Sequence, residues 1–195
     1  MISLPRPEIE GGILLNQAIY NRYSCRNFSS RNLTLKQVSA LLWAAGGRAR
    51  YRRTIPSAGA TYPLEVALIT GKDCVENLEA GLYWYIWEQH ALILKIEKDL
   101  RKEIAVVCLG QDFISSAPVL ILISAQYERT TSHYGHRGIR YAHMEAGCVC
   151  QNIHLEAISL GLGTVVVGAF YDQELKAVTK IDYQPLVVMP VGYPR

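Results

Sequence analysis

Apolar residues recur at helical spacing from Ile13 to Tyr20, and again at Leu35, Val38, Leu41 and Leu42. Thr34 and Gln37 stand three apart ahead of this second run, the spacing of a capping box, and Gly46 and Gly47 are expected to end it. Leu64 to Thr70 reads as a buried strand stopped by Gly71. Leu82 to Trp87 and Leu92 to Ile96 flank Glu88, Gln89 and His90, which suits a hairpin. A short helix at Leu100 to Cys108 precedes a strand at Val119 to Ala125, and the longest helix is expected from about Ile139 to Leu160, ending at Gly161. A strand at Val165 to Val167, a helix opened by Asp172 and a strand at Leu186 to Val191 complete the chain. Strands mixed with helices, without regular βαβ alternation, indicate α+β. The long helix carries few polar residues on its inner turns, so one small sheet scarcely covers it, and a second subunit would supply the remaining burial.

The 195 residues, half of them hydrophobic, fit one domain over 1–195 with a real core; no repeat or linker divides them. A net charge of +3 from 20 basic and 17 acidic residues demands no nucleic acid and leaves a small anion as the only charged partner implied. Met1 to Glu10 lacks a basic start followed by an apolar run, so secretion is not expected. Runs such as Val119 to Ala125 are far shorter than the roughly 20 residues of a membrane span. The five cysteines contain no CxxC and mostly sit in apolar stretches, as reduced thiols of a cytoplasmic protein would. No metal site is expected, because Cys148 and Cys150 point apart on a helix and His136, His143 and His154 are scattered.

Three segments carry candidate chemistry. Arg22-Tyr23-Ser24-Cys25-Arg26 follows the opening helix, where two guanidinium forks and a hydroxyl could surround a phosphate; from local physics alone a solvated basic turn is the favoured reading. Arg48, Arg50, Arg52 and Arg53 precede Pro56-Ser57-Ala58-Gly59, whose small residues would let the backbone approach a flat ligand; the arginines by themselves fit a solvated face. Gly161-Leu162-Gly163 is followed by a strand instead of a helix and so is no dinucleotide fingerprint. Gly168 and Ala169, at the expected strand end, could present backbone N–H groups to a heteroaromatic ring.

In this order, with Pro56 to Glu65, Gly81-Leu82-Tyr83, Tyr134-Gly135, Arg140-Tyr141, Glu145-Ala146-Gly147, Gln151-Asn152 and Pro190-Val191-Gly192, the segments resemble the nitroreductase-like flavoprotein family, and within it the SagB-type dehydrogenase branch. The resemblance covers nearly the whole chain. It implies the FMN-dependent nitroreductase fold: a central, mixed but mostly antiparallel sheet flanked by helices, in an intertwined homodimer with two FMN sites at the interface. By similarity, Arg22, Ser24 and Arg26, with Tyr23 between them, would hold the phosphate and ring edge. Pro56, Ser57, Ala58 and Gly59 would reach the flavin from the other subunit, and Val166, Val167, Gly168 and Ala169 would line it.

Tyr134, read in a loop from Thr130 to Arg137, is the candidate for proton transfer beside the flavin; an ordinary loop tyrosine is the plain alternative. Azoline-oxidising members of the branch tend to carry Lys-Tyr here, whereas this chain has His133-Tyr134. The family's basic residues beyond Gly192-Tyr193-Pro194 are missing, so either Arg195 takes over part of the phosphate contact or binding is weaker than usual. The resemblance implies NADH or NADPH as donor and a small acceptor such as a nitroaromatic or quinone. Oxidation of an azoline ring in a peptide and a catalytically silent flavin-binding scaffold are the alternatives.

Overall fold

The computed structural model describes residues 1–195. Seven strands form one sheet in the order β1 (Ile2–Ser3), β4 (Ala91–Ile96), β3 (Gly81–Ile86), β2 (Leu64–Thr70), β5 (Val119–Ala125), β7 (Gln184–Gly192) and β6 (Gly163–Thr164). Every paired strand is antiparallel, so the sheet is not mixed; parallel contact is limited to single bridges such as Ser24 with Thr164.

The central strands β2 and β5 are buried over their full length because helices cover both faces. Alternate residues divide between two cores. Val66, Leu68, Ile121 and Ile123 pack with α2 (Leu35–Gly46) and α6 (Arg137–Ser159), while Ala67, Ile69, Leu120 and Leu122 pack with α3 (Arg101–Val107), α4 (Phe113–Ser116) and α7 (Asp172–Thr179). The sheet is therefore the middle of three layers.

The expected capping box opens α2: Thr34 Oγ1 accepts from Gln37 N–H at 3.1 Å, and Gln37 Oε1 accepts from Thr34 N–H at 3.0 Å. At the far end of α6 the chain turns through Gly161 at φ +70°, and Leu162 N–H donates back to Ala157 O at 2.7 Å. The opening helix α1 is Leu15–Asn21, and α5 spans Glu128–Tyr134.

Several expectations change. Val165 to Val167 is not a strand: β6 ends at Thr164, and only Val167 bridges to Val188. Side-chain alternation survives there, with Val165 and Val167 buried and Val166 42% exposed, but alternation reports which way side chains point and not whether a ladder forms. Tyr134 ends helix α5 instead of lying in a loop. This Thr/Ser-rich stretch has weak intrinsic helicity, yet buried Thr130 shares a 2.7 Å hydroxyl contact with Thr61 that only the tertiary structure provides. Asp172 lies in the first turn of α7 and does not cap it; its carboxylate accepts from Gln184 Nε2 at 2.5 Å.

The face that α6 leaves uncovered is more polar than its inner turns suggest, with Arg140, His143 and Gln151 beside Met144. Unpartnered apolar surface concentrates instead around α1, at Leu14, Leu15, Ile19, Tyr20 and Tyr23. No helix is long and apolar enough to cross a membrane.

Candidate functional site

The segment after α1 is held against the sheet edge, because Cys25 N–H donates to Thr164 O at 2.9 Å and Ser24 bridges Thr164. This placement brings Arg22 and Ser24 into a cavity of about 640 Å³ with His154, Gly147 and Cys150 of α6 and with Val166. A cavity of that size, with a cation and a hydroxyl on one wall and small residues on the other, suits a flat ligand that carries an anion. Gly147 of the wall has open space where a Cβ would stand; Gly168 does too, but it and Ala169 are exposed just beyond Val166 and do not line the cavity. The N–H groups of Gly168 and Ala169 donate to no protein acceptor and remain available.

Other residues singled out from the sequence fall elsewhere. Val167 is buried in the core and is not in the wall of this cavity; its N–H and C=O both pair with Val188. Arg26 and Tyr23 are exposed outside the cavity wall, with the Arg26 guanidinium 6.0 Å from the Phe113 ring centroid. Arg195 is exposed at the chain end, but its N–H donates to Asn27 O at 3.1 Å, so the last residue runs beside the Arg22–Arg26 segment.

Pro56, Ser57 and Gly59 line a separate cleft of about 770 Å³. Within one chain, therefore, this segment does not share a cavity with Arg22 and Val166. Gly59 has φ +58° and approaches Tyr134 so closely that a Cβ there would lie 2.7 Å from the Tyr134 hydroxyl. A side chain at position 59 would be strained by its backbone and would displace the phenol. Tyr134 is also packed edge-on against His133 and Tyr141, with ring centroids 4.7 and 5.2 Å away.

The residue that the sequence reading missed as functional is Glu145 of α6, only 5% exposed. Its Oε1 accepts from Ser57 Oγ–H and from Ala58 N–H, both at 2.9 Å, and Ser57 Oγ in turn accepts from Tyr62 N–H at 2.8 Å. Oε2 is buried with no partner. Burial pushes the Glu145 pKa up, against the opposing pull of these two donors and of Arg53. One turn-spaced face of α6 adds Asn152, whose amide donates to Ala44 O and Thr54 O, each at 3.1 Å. The 54–58 segment is thus fixed to α6 by two polar side chains. The Glu145-Ala146-Gly147 motif was the available signal, but its spacing does not say what the carboxylate meets.

His154, a further missed residue, is buried in the wall with Arg22. Burial first, and then the Arg22 charge, lowers its pKa below the ordinary value, so it stays neutral near pH 7. A depressed folded-state pKa means that the unfolded chain takes up the proton first as pH falls. Wild type should accordingly lose stability relative to His154→Gln between about pH 7 and pH 5. Parallel denaturant titrations check this, and a gap between the two proteins that does not change with pH would refute it.

A family model described as "Nitroreductase family" matches residues 19–193. A protein of Methanocaldococcus jannaschii, provisionally named a nitroreductase, is 48% identical over 188 residues, covering 95% of this chain and 93% of that protein. The microcin B17-processing protein McbC of Escherichia coli is 28% identical over 176 residues, covering 85% of this chain and 65% of McbC. Among solved structures, one from Ralstonia eutropha JMP134, provisionally named a nitroreductase, superposes with a TM-score of 0.87 at 31% identity and covers all of this chain and 89% of that one. The E. coli microcin synthetase McbBCD complex with truncated pro-MccB17 bound contains a chain that superposes at 0.77 with 27% identity, covering 98% of this chain and 77% of that one.

Proposed function

The chain belongs to the nitroreductase family, and from that premise we propose that it is an FMN-dependent oxidoreductase. In this reading it works as a cytoplasmic homodimer and passes electrons from NADH or NADPH to a small acceptor such as a nitroaromatic or quinone. The observation that carries the proposal is the cavity in which Arg22 and Ser24 face the small-residue side of α6 and Val166. The residues present fit FMN: a guanidinium for the phosphate and open space at Gly147 for a ring, with free N–H groups at Gly168 and Ala169 two and three residues beyond Val166 of the wall.

When bound, FMN would supply the hydride and electron chemistry. Arg22 and Ser24 would neutralise and orient its phosphate, with Arg195 near enough along the chain to add charge. The N–H groups of Gly168 and Ala169 would offer fixed dipoles to the ring edge. Glu145 holds Ser57 and Ala58 in place, and the Tyr134 hydroxyl, beside Gly59, would hold or move a proton. Homodimerisation is supported by two features of the single chain: the Pro56–Gly59 cleft is separate from the Arg22 cavity, and exposed apolar side chains cluster around α1. The five free thiols fit a reducing compartment.

The test is the visible spectrum of the purified protein, followed by anaerobic titration with NADH and NADPH. A flavin spectrum bleached by either donor is expected. A protein that stays colourless after FMN is added refutes the proposal. Flavin that binds but resists both donors would indicate a silent flavin-binding subunit.

Similarity to McbC and to a chain of the McbBCD complex favours a second reading, oxidation of an azoline ring in a peptide. It requires a peptide partner that loses the mass of two hydrogens when incubated with the enzyme, and His133 before Tyr134 departs from the Lys-Tyr of azoline oxidases.

A further inference from the structure

Holding FMN leaves no task for the arginines at 48–53. They do not form a loose basic loop. Arg48 and Arg53 pair in an antiparallel bridge, Ala49 N–H donates to Arg52 O at 2.8 Å, and Trp43 Nε1–H donates to Arg48 O at 2.9 Å. Arg53 is fixed below this turn. Its Nε–H donates to Gly46 O at 2.6 Å, and its guanidinium lies 5.0 Å and 4.8 Å from the ring centroids of Tyr62 and Trp87.

Arg50 and Arg52 lack the backbone anchor that fixes Arg53. Both are exposed, and neither side chain makes a salt bridge or hydrogen bond. Together with Arg53 they line the cleft that ends on Ser57 and Gly59, and no Asp or Glu is in its wall. Glu65 and Glu88 act electrostatically on Arg53 from the adjoining cleft, which leaves Arg50 and Arg52 as the uncompensated charges. Tyr51 between them is 85% exposed, and the Arg50 guanidinium lies 5.2 Å from its ring centroid, so the aromatic surface and the cations form one exposed patch.

Two guanidinium forks on a closed turn repel one another until an anion comes between them, and their geometry matches phosphate oxygens. An exposed aromatic face beside them suits a purine base. The far end of the cleft reaches Gly59, against which the Tyr134 hydroxyl is packed. We propose that this cleft binds the diphosphate of a reduced nicotinamide dinucleotide, with Arg50 and Arg52 as its ligands and Tyr51 under the adenine. The inference rests on the reading that NADH or NADPH is the electron donor. It gives this chain a way of recognising the donor without a Rossmann phosphate loop.

The test compares wild-type holoenzyme with the Arg50→Ala/Arg52→Ala variant, reduced by NADH, by NADPH and by N-benzyl-dihydronicotinamide, which carries no phosphate. Neither arginine side chain is bonded to the rest of the fold, so the variant should fold normally. The KM for both dinucleotides should rise about tenfold or more, as expected for lost charge-assisted bonds, while kcat and the KM for the benzyl donor stay within about twofold. A larger effect on NADPH than on NADH would assign the arginines to its extra phosphate and overturn the diphosphate assignment. Equal KM values in both proteins, or an equal rise with the benzyl donor, would overturn the cleft itself.

Calorimetric titration with inorganic pyrophosphate separates this inference from the donor reading. If neither dinucleotide reduces wild type, the donor reading falls, and pyrophosphate binding that is lost in the variant still upholds the anion cleft. No pyrophosphate binding by wild type, or equal binding by both proteins, overturns it.

Discussion

Arg22→Ala should bind FMN roughly ten- to a hundredfold more weakly than wild type, yet bind riboflavin equally well. Hydrogen bonds to a charged partner are worth about 1.5–3 kcal/mol, and each 1.4 kcal/mol is a factor of about ten in affinity. Arg22 makes no salt bridge within the chain, so its replacement breaks no ion pair, and it faces the cavity beside Ser24. The comparison with riboflavin isolates the phosphate, since the two ligands share their ring. Flavin fluorescence quenching gives both constants. An unchanged FMN constant, or a parallel loss for riboflavin, would mean that Arg22 does not read the phosphate.

The second large effect concerns Glu145. Glu145→Ala should lower stability by about 2–4 kcal/mol, because Ser57 Oγ–H and Ala58 N–H lose a buried acceptor and a small cavity opens in the α6 face. Glu145→Gln keeps a carbonyl oxygen at the position of Oε1 and should stay within about 1.5 kcal/mol of wild type. Thermal melts provide the comparison, at about 2–4 °C per kcal/mol for a chain of this size. If alanine is tolerated as well as glutamine, the carboxylate does not hold the 57–58 segment.

The pH behaviour should also distinguish Glu145 from His154. Burial raises the Glu145 pKa, so the folded state takes up this proton before the unfolded chain does. Its contribution to stability grows as pH falls through the raised value toward the ordinary carboxylate range, opposite in sign to that of His154.

Elements with local determinants lie where the amino-acid pattern puts them, and those held by distant contacts do not. The Val119–Ala125 and Leu64–Thr70 strands coincide with the residues expected, because central strands buried on both faces must be apolar throughout and turn-forming residues bound them. The capping box at Thr34 and Gln37 needs only three residues of spacing, and it too is found. Val165 to Val167 failed as a strand because the register set by Thr164 with Val191 and Val167 with Val188 puts Val165 opposite Pro190, which has no N–H to complete the ladder. The polar α5 was missed because what holds it is tertiary: it packs on α6, and buried Thr130 meets Thr61, 69 positions away.

The candidate site divides in the same way. Residue types that suit a phosphate and a flat ring stand in short segments, Arg22 to Arg26 and Pro56 to Gly59, and are legible wherever those segments lie. The chain by itself thus determined its central strands, its capped and long helices and its chemical vocabulary, since each is set by neighbours a few residues apart. Only the tertiary structure decided that Glu145 meets Ser57 across 88 residues, that Val166 and not Val167 faces the cavity, and that His154 shares a wall with Arg22. Those outcomes depend on how each helix is rotated and how each strand edge is occupied, and both are fixed by packing among distant segments.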